Sequence, residues 1–282
     1  MNYSIVIPAY NEEKFIARTL DSLSSQTVLP KEVIVVNDNS TDSTALIASD
    51  FEAKYPWIRL VNTTSEAVHL PGSKVIRAFE KGFAVVDPEF DIIVKADADL
   101  IFPPDYFETV LARFKSDEKT GMAGGFAYIE RNGDWILENL TDKDHIRGAF
   151  KAYRKSCFEQ IGGLKPAMGW DTVDELLCNY YGWKVVTIPD LKVKHLKPTG
   201  STYDKAARYK QGAAFYTLGY GLFITAIASA KLAMRKKKPL LFIDYLGGYL
   251  RAKSERKAML VTPEQATFVR RYRLKKMKEK LF

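Results

Sequence analysis

The stretch IIVKADADLIF, residues 92–102, decides the fold. An apolar, β-branched run ends in two carboxylates, Asp97 and Asp99, with only Ala98 between them. A run without polar alternation reads as a strand buried on both faces, the habit of parallel sheets. Working outward, YSIVIP (3–8), VIVV (33–36) and Ile58–Val61 read as further short strands. Between them, apolar residues at 15, 16, 20 and 23 predict a helix within Asn11–Ser25, and the patterns predict helices over about 42–54 and Ser73–Val86. The order β-α-β-α-β-α-β predicts a parallel sheet with right-handed crossovers. In such sheets ligands bind beyond the carboxyl ends of the strands. The polar clusters PAYNEE, NDNSTD and DAD all fall there.

Past residue 105 the pattern becomes α+β. Tyr106–Phe114 reads as a helix, Gly121–Ile129 and Trp135–Leu137 as strands, and His145–Gln160 as a helix stopped by Gly162-Gly163. Val173–Tyr181 reads as a helix ended by Gly182, followed by strands at Lys184–Ile188 and Lys192–His195. There is no internal repeat and no low-complexity linker.

The chain has 282 residues and only two cysteines, Cys157 and Cys178, without a CxxC, so neither a disulfide framework nor a zinc site is indicated. MNYSIVIPAY reads directly as a strand rather than a basic and apolar leader, which leads us to expect a cytoplasmic protein. The net charge of +8 is unevenly divided. Residues 1–200 hold 23 Lys+Arg and 29 Asp+Glu, whereas residues 201–282 hold 19 and 5. Twenty uncharged residues, 211–230, are long enough to span a bilayer, but their glycines, tyrosines and glutamine make a poor span. RKKK at 235–238 and further Lys/Arg clusters interleave with apolar segments. That pattern suits helices lying in the interface of an anionic membrane, peripheral at the inner face of the cytoplasmic membrane. No RNA or DNA motif accompanies the charge, so no nucleic-acid partner is expected.

An Asp-x-Asp pair can be a solvated strand end. At the ligand edge of a parallel sheet it is also a way to hold a hard divalent cation with a substrate diphosphate. Five ordered segments, SIVIPAYNEEKFIARTLDSLSSQ, EVIVVNDNSTDST, VKADADLIFPPDY, GWDTVDELLCNYYGWKV and VKHLKPTG, together resemble a family 2 glycosyltransferase of the GT-A fold. The resemblance covers about residues 1–200. It implies an α/β catalytic domain over 1–200, with a nucleotide-binding half at 1–105 and an acceptor-side half at 106–200. Residues 201–282 then form a basic, helical, membrane-associating region.

The resemblance also implies roles. Pro8, Ala9, Tyr10 and Glu12 would line the nucleotide pocket, with Tyr10 near the base, and Asp38 would accept a hydrogen bond from the base. Asp97, Ala98 and Asp99 match the family's D-x-D, with Asp99 binding Mg²⁺ or Mn²⁺ and Asp97 holding the ribose or sharing the metal. Lys74 sits where donor contacts are often found. His195 would complete the metal site. An inverting transferase needs a carboxylate to take the proton of the attacking acceptor hydroxyl. The family carries it as E-D before a helix that ends in Gly-aromatic. Counting back from Gly182-Trp183, the pair falls on Trp170 and Asp171, so the first acidic residue is missing here. Asp171 is the first candidate base, Asp174 the second and Glu175 the third. Trp170 would be an apolar wall for an acceptor or sugar ring, or ordinary core, and Arg147 would lie on the acceptor side. His69 and His145 have no motif support.

The expected function is inverting transfer of a sugar, UDP-sugars favoured, from a nucleotide diphosphate donor to a sugar or lipid-linked acceptor hydroxyl. The alternatives are a polyprenyl-phosphate sugar synthase of the same fold and a non-catalytic nucleotide-sugar-binding or membrane scaffold protein.

Overall fold

The computed structural model describes residues 1–64, 72–138, 143–197 and 207–279. Four strands carry the continuous apolar runs: β1 (Tyr3–Ala9), β2 (Glu32–Asp38), β3 (Ile58–Thr63) and β4 (Ile92–Ala96). They pair in parallel in the order β3-β2-β1-β4. Residues Ile5–Ile7, Val33–Val36 and Ile92–Val94 are essentially inaccessible, as expected for strands covered on both faces. The crossover helices are α1 (Ile16–Ser24), α2 (Thr44–Lys54) and α3 (Ser73–Phe83). Strand order reverses between β1 and β4, which opens a crevice at their carboxyl ends.

The second half adds β5 (Leu100–Ile101), α4 (Tyr106–Ser116), β6 (Thr120–Arg131), β7 (Asp134–Leu137), β8 (Phe150–Arg154), α5 (Lys155–Gln160), α6 (Trp170–Tyr180) and β9 (Lys184–His195). The sheet runs on as β4-β8-β6-β9-β5, with β7 paired to β6. Here the helix expected over His145–Gln160 is corrected: only Lys155–Gln160 is helical. Phe150–Arg154 is a strand antiparallel to β4, pairing Lys95 with Lys151 and Val94 with Ala152. The segment lies between two neighbouring strands and is buried along its length. Tertiary pairing therefore overrides its helix-compatible spacing. The two strands expected at 184–188 and 192–195 are one strand, irregular opposite Gly124–Phe126.

Four helices follow: α7 (Ala207–Thr217), α8 (Gly221–Arg235), α9 (Leu240–Ser254) and α10 (Pro263–Glu279). The uncharged run 211–230 is cut between α7 and α8, where Gly219 and Gly221 take positive φ of 76° and 72°. No helix among the described residues is long and apolar enough to cross a membrane. The glycines that weaken the run as a span have a packing role. A Cβ on Gly212 would meet Tyr245 O at 1.8 Å, and one on Gly248 would meet Tyr209 O at 2.1 Å, so α7 and α9 touch backbone to backbone. Helix α10 packs on α6 and α8, with Phe268 edge-on to Tyr180 at 5.4 Å between ring centres.

Candidate active site

The loops after β1 and β2 are laced together. Asn11, in the left-handed region at φ 55°, accepts from the Thr41 N–H at 2.8 Å, and its own N–H donates to Ser40 Oγ at 3.0 Å. The Glu12 N–H donates to Thr44 Oγ1 at 2.8 Å. Ala9 is buried at the strand end, Pro8 is half-buried beside it, and Tyr10 projects into solvent, 58 % exposed. Asp38 is buried, and its Oδ1 has no hydrogen-bond partner among the described residues. A buried orphan acceptor is costly unless a ligand donates to it, which fits the expected contact with a base.

The loop after β4 is pinned from below. Buried Thr19 Oγ1 donates to Ala98 O at 2.8 Å and accepts from the Leu100 N–H at 3.0 Å. Asp97 is close against Lys95 Nζ, a lysine buried within β4. The short β5 strand pairs with the end of β9 and brings His195 opposite Leu100. His195 Nε2 lies 3.4 Å from Asp99 Oδ2, and its Nδ1 lies 3.5 Å from Glu138 Oε2. One ligand atom from each of Asp97, Asp99 and His195 falls within 4.8 Å of the others. Burial resists a charge on His195, but Asp99, Glu138 and Asp97 outweigh it and push the imidazole up to about 9. The two carboxylates match the donor preference of Mg²⁺ or Mn²⁺, and the imidazole adds a nitrogen donor of the kind transition metals take. Glu138 behind the imidazole is the outer-shell partner such ligands use. The donor set therefore fits a divalent cation.

Two contributors, Lys197 and Glu138, were not among the expected site residues. Lys197 donates to Glu12 Oε1 at 2.9 Å. Desolvation opposes its charge, but Glu12, Asp99 and Asp97 raise its pKa, so the ammonium stays cationic beside the carboxylate pair. Glu138 at the end of β7 also receives Arg147, at 3.2 Å. Arg147 thus braces the cluster through Glu138. Lys74 is half-buried in the first turn of α3, whose preceding Gly72 touches Ala167 and Trp170. His69 lies outside the described residues.

The opposite rim is the start of α6. The Asp171 carboxylate is 37 % exposed and lies 3.8 Å from His145 Nε2, while His145 Nδ1 lies 2.9 Å from Glu175 Oε2. Burial favours the neutral acid, but His145, Lys151 and Arg147 overcome it and hold Asp171 at about 2. It is therefore an ionised carboxylate that still faces solvent. Asp174, the second candidate, is corrected to a buried structural group, 1 % exposed. Its oxygens accept from Lys151 Nζ at 3.0 Å and from Tyr153 O–H at 2.7 Å. Burial raises its pKa to about 6 against the pull of Lys151, and no acceptor hydroxyl can reach it through that shell. Glu175, the third candidate, is engaged by Lys151 at 3.0 Å and by the Ile146 N–H at 2.9 Å. Of the two readings open for Trp170, apolar wall or ordinary core, the structure has it packed. It is 8 % exposed, set against Gly148, with Lys95 Nζ 5.3 Å from its ring centre.

Lys151 is 0 % exposed and is the hub of this rim. Replacing it with Met leaves Asp174 buried without its cation and Glu175 with His145 alone, so Lys151→Met is expected to cost roughly 3–5 kcal/mol. Chemical denaturation of the purified variant checks this.

The description "Glycosyl transferase family 2" matches residues 4–164, more than half of the sequence. "Probable glycosyltransferase YdaM" of Bacillus subtilis (strain 168) is 30 % identical over 185 residues, 57 % of this chain and 42 % of that protein. The chain thus spans less than half of that relative's length. Among solved structures, the mannosyltransferase PcManGT of Pyrobaculum calidifontis with GDP-Man and Mn²⁺ aligns over 100 % of this chain and 81 % of its own, at TM-score 0.59 and 16 % identity. S. aureus TarS 1-349 in complex with UDP-GlcNAc aligns over 82 % of this chain and 67 % of its own, at TM-score 0.58 and 18 % identity. At such identities these structures speak to the fold alone. The matched residues include the Asp97–Asp99 pair and stop short of Asp171 and His195, and on this match the chain belongs to glycosyl transferase family 2.

Proposed function

We propose that the protein moves a sugar, a UDP-sugar favoured as donor, onto an acceptor hydroxyl with inversion at the anomeric carbon, in surface polysaccharide or glycolipid assembly. The observation that carries the reading is one continuous path. Asp99, His195, Glu138 and Arg147 follow one another at 3.4, 3.5 and 3.2 Å. Arg147 in turn helps hold Asp171 ionised. Metal site and base are thus parts of one arrangement.

In this reading Asp38 takes the N–H of the base, with Pro8, Ala9, Tyr10, Glu12 and Lys74 around the nucleotide. Asp97, Asp99 and His195 would hold Mg²⁺ or Mn²⁺, which supplies charge neutralisation for the departing diphosphate. Lys197 adds a fixed positive charge on the same side. Asp171 accepts the proton of the acceptor hydroxyl as its oxygen attacks, and no covalent enzyme intermediate forms. The proposed division is a catalytic part over 1–200 and a membrane-resting part over 201–282. Leu222, Phe223, Met234, Leu240, Ile243 and Leu250 on α8 and α9 are each at least half exposed, and the cations 235–238 join the two helices. That pairing of apolar and basic surface supports peripheral contact with an anionic membrane at the cytoplasmic face.

Calorimetric titration of UDP and GDP, with Mn²⁺ and then with EDTA, tests the donor half. Metal-dependent binding of UDP is expected, and the reading fails if neither nucleotide binds under any condition.

His145 gives a pH signature. Burial disfavours its charge, yet Asp171 and Glu175 prevail and push it up to about 9. A raised pKa stabilises the fold fully below the ordinary value near 6.5 and loses that contribution as pH rises through about 9. The melting temperature should therefore fall between about pH 7 and 9.5 in the wild type, and less so in His145→Asn. The same variant should move the acid limb of activity upward, because Asp171 loses its main stabilising partner.

A further inference from the structure

Lys95 is the residue of β4 that the fold has least reason to accept. Its side chain is 2 % exposed, and taking an ammonium out of water is costly. Across the ladder it faces Lys151, which is equally buried. Directly opposite residues share one face of a sheet, and a pair of like charges there lowers stability. An apolar side chain at position 95 would remove both penalties. Such a local violation is what a functional position shows.

Two groups receive the Lys95 ammonium. One is Oδ1 of Asp97, in close contact. The other is the ring of Trp170, whose centre is 5.3 Å from Nζ, the separation of a cation–π contact. Trp170 opens α6 and is the chain neighbour of Asp171. Its indole is wedged between two glycines. A Cβ on Gly148 would lie 2.7 Å from Trp170 Cζ2, and one on Gly72 would lie 3.3 Å from Cδ1. An indole in this place offers the ammonium a π face and no competing carboxylate, so the charge is answered by Asp97.

Asp97 is in turn fixed at two points. Its N–H donates to Ala149 O at 2.8 Å, and Lys95 holds Oδ1. Its side chain is 32 % exposed, whereas that of Asp99 is 9 % exposed and lies against His195. Asp97 therefore has one oxygen, Oδ2, left for a ligand, in an orientation set from beneath. The ammonium also offsets one of the two negative charges of the Asp97–Asp99 pair.

We infer that Lys95 is a positioning residue acting through Asp97. It withholds one carboxylate oxygen from the cation and aims the other at the donor. Through Trp170 it ties that carboxylate to the helix start that carries Asp171. The donor part rests on the proposed transfer reaction, and the hold on Asp97 does not.

The test is a cycle of Lys95→Met, Asp97→Asn and the double variant, each in the full chain. Lys95→Met should melt at or above the wild-type temperature, because Asp97 can turn to water and Lys151 loses a like-charged neighbour. Asp97→Asn leaves a buried ammonium without its carboxylate and should melt about 5 °C or more below wild type. Adding Lys95→Met should restore that loss. Equal losses in the two single variants that add in the double overturn the pairing. Mn²⁺ titrated without nucleotide, followed by the EPR signal of the free ion, should bind Lys95→Met about tenfold tighter than wild type. That gain should vanish when Asp97→Asn is added. With Mn²⁺ saturating, UDP should bind Lys95→Met about tenfold more weakly than wild type. A residue that serves the fold alone would weaken both ligands together or neither. Unchanged Mn²⁺ affinity, or a gain that survives Asp97→Asn, overturns the inference. A wild type that binds no UDP removes the transfer reading, and the melting cycle and the Mn²⁺ titration still decide the role of Lys95.

Discussion

Asp171→Asn is expected to lower kcat about 10²–10⁴-fold, the range ascribed to general acid–base assistance, and to leave metal-dependent UDP binding unchanged. The asparagine keeps the size of the side chain and its place at the start of α6, but it cannot take a proton. His145 and Lys151 remain to hold the helix start through Glu175 and the Asp171 carbonyl, so the fold should survive. The outcome also separates two chemistries. A synthase whose acceptor is already a phosphate needs no base, and its turnover would be nearly indifferent to this change. Full activity in Asp171→Asn would remove Asp171 from the mechanism and favour that alternative.

Asp99→Ala is expected to abolish metal-dependent nucleotide binding and to lower turnover about 10²–10³-fold, the loss seen when a principal charge-stabilising group is removed. Asp99 is buried, pairs with His195 and accepts the Leu196 N–H on its carbonyl. Its backbone role survives substitution, and only the carboxylate is lost. Titrating Mn²⁺ into wild type and variant, each with saturating UDP, reads the effect directly. If UDP binds equally with and without Mn²⁺ in both proteins, the Asp97–Asp99–His195 group is an ordinary cluster of charges.

The parallel half was legible because its strands are fully covered and show continuous apolar runs. The Asp-x-Asp pair was legible because it follows one of them. Asp171 became a candidate through the family resemblance, counted back from Gly182, even though Trp170 breaks the expected acidic pair. The helix expected over His145–Gln160 failed because FKAYR, at 150–154, carries a fully buried lysine. A charge in the interior tells nothing until its partners are known, and Asp174 and Glu175 sit more than twenty residues away in sequence. Glu138 and Lys197 were invisible for the same reason. Each acquires meaning only through a side chain brought to it from a distant part of the chain. His145 lacked a motif, and its importance comes from facing α6 across the fold.

The register of β4 and β8 has a further consequence. Lys95 and Lys151 stand directly opposite each other, both buried, and like charges so placed repel. One is answered by Asp97 in the Asp97–Asp99–His195 group, the other by Asp174 and Glu175 in the Asp171 rim. For a protein engineer the two sides are therefore not separable modules. Removing the charge at position 97 is expected to leave Lys95 facing Lys151 with less compensation. Substitutions on the two sides should be screened in combination, because their effects will not add.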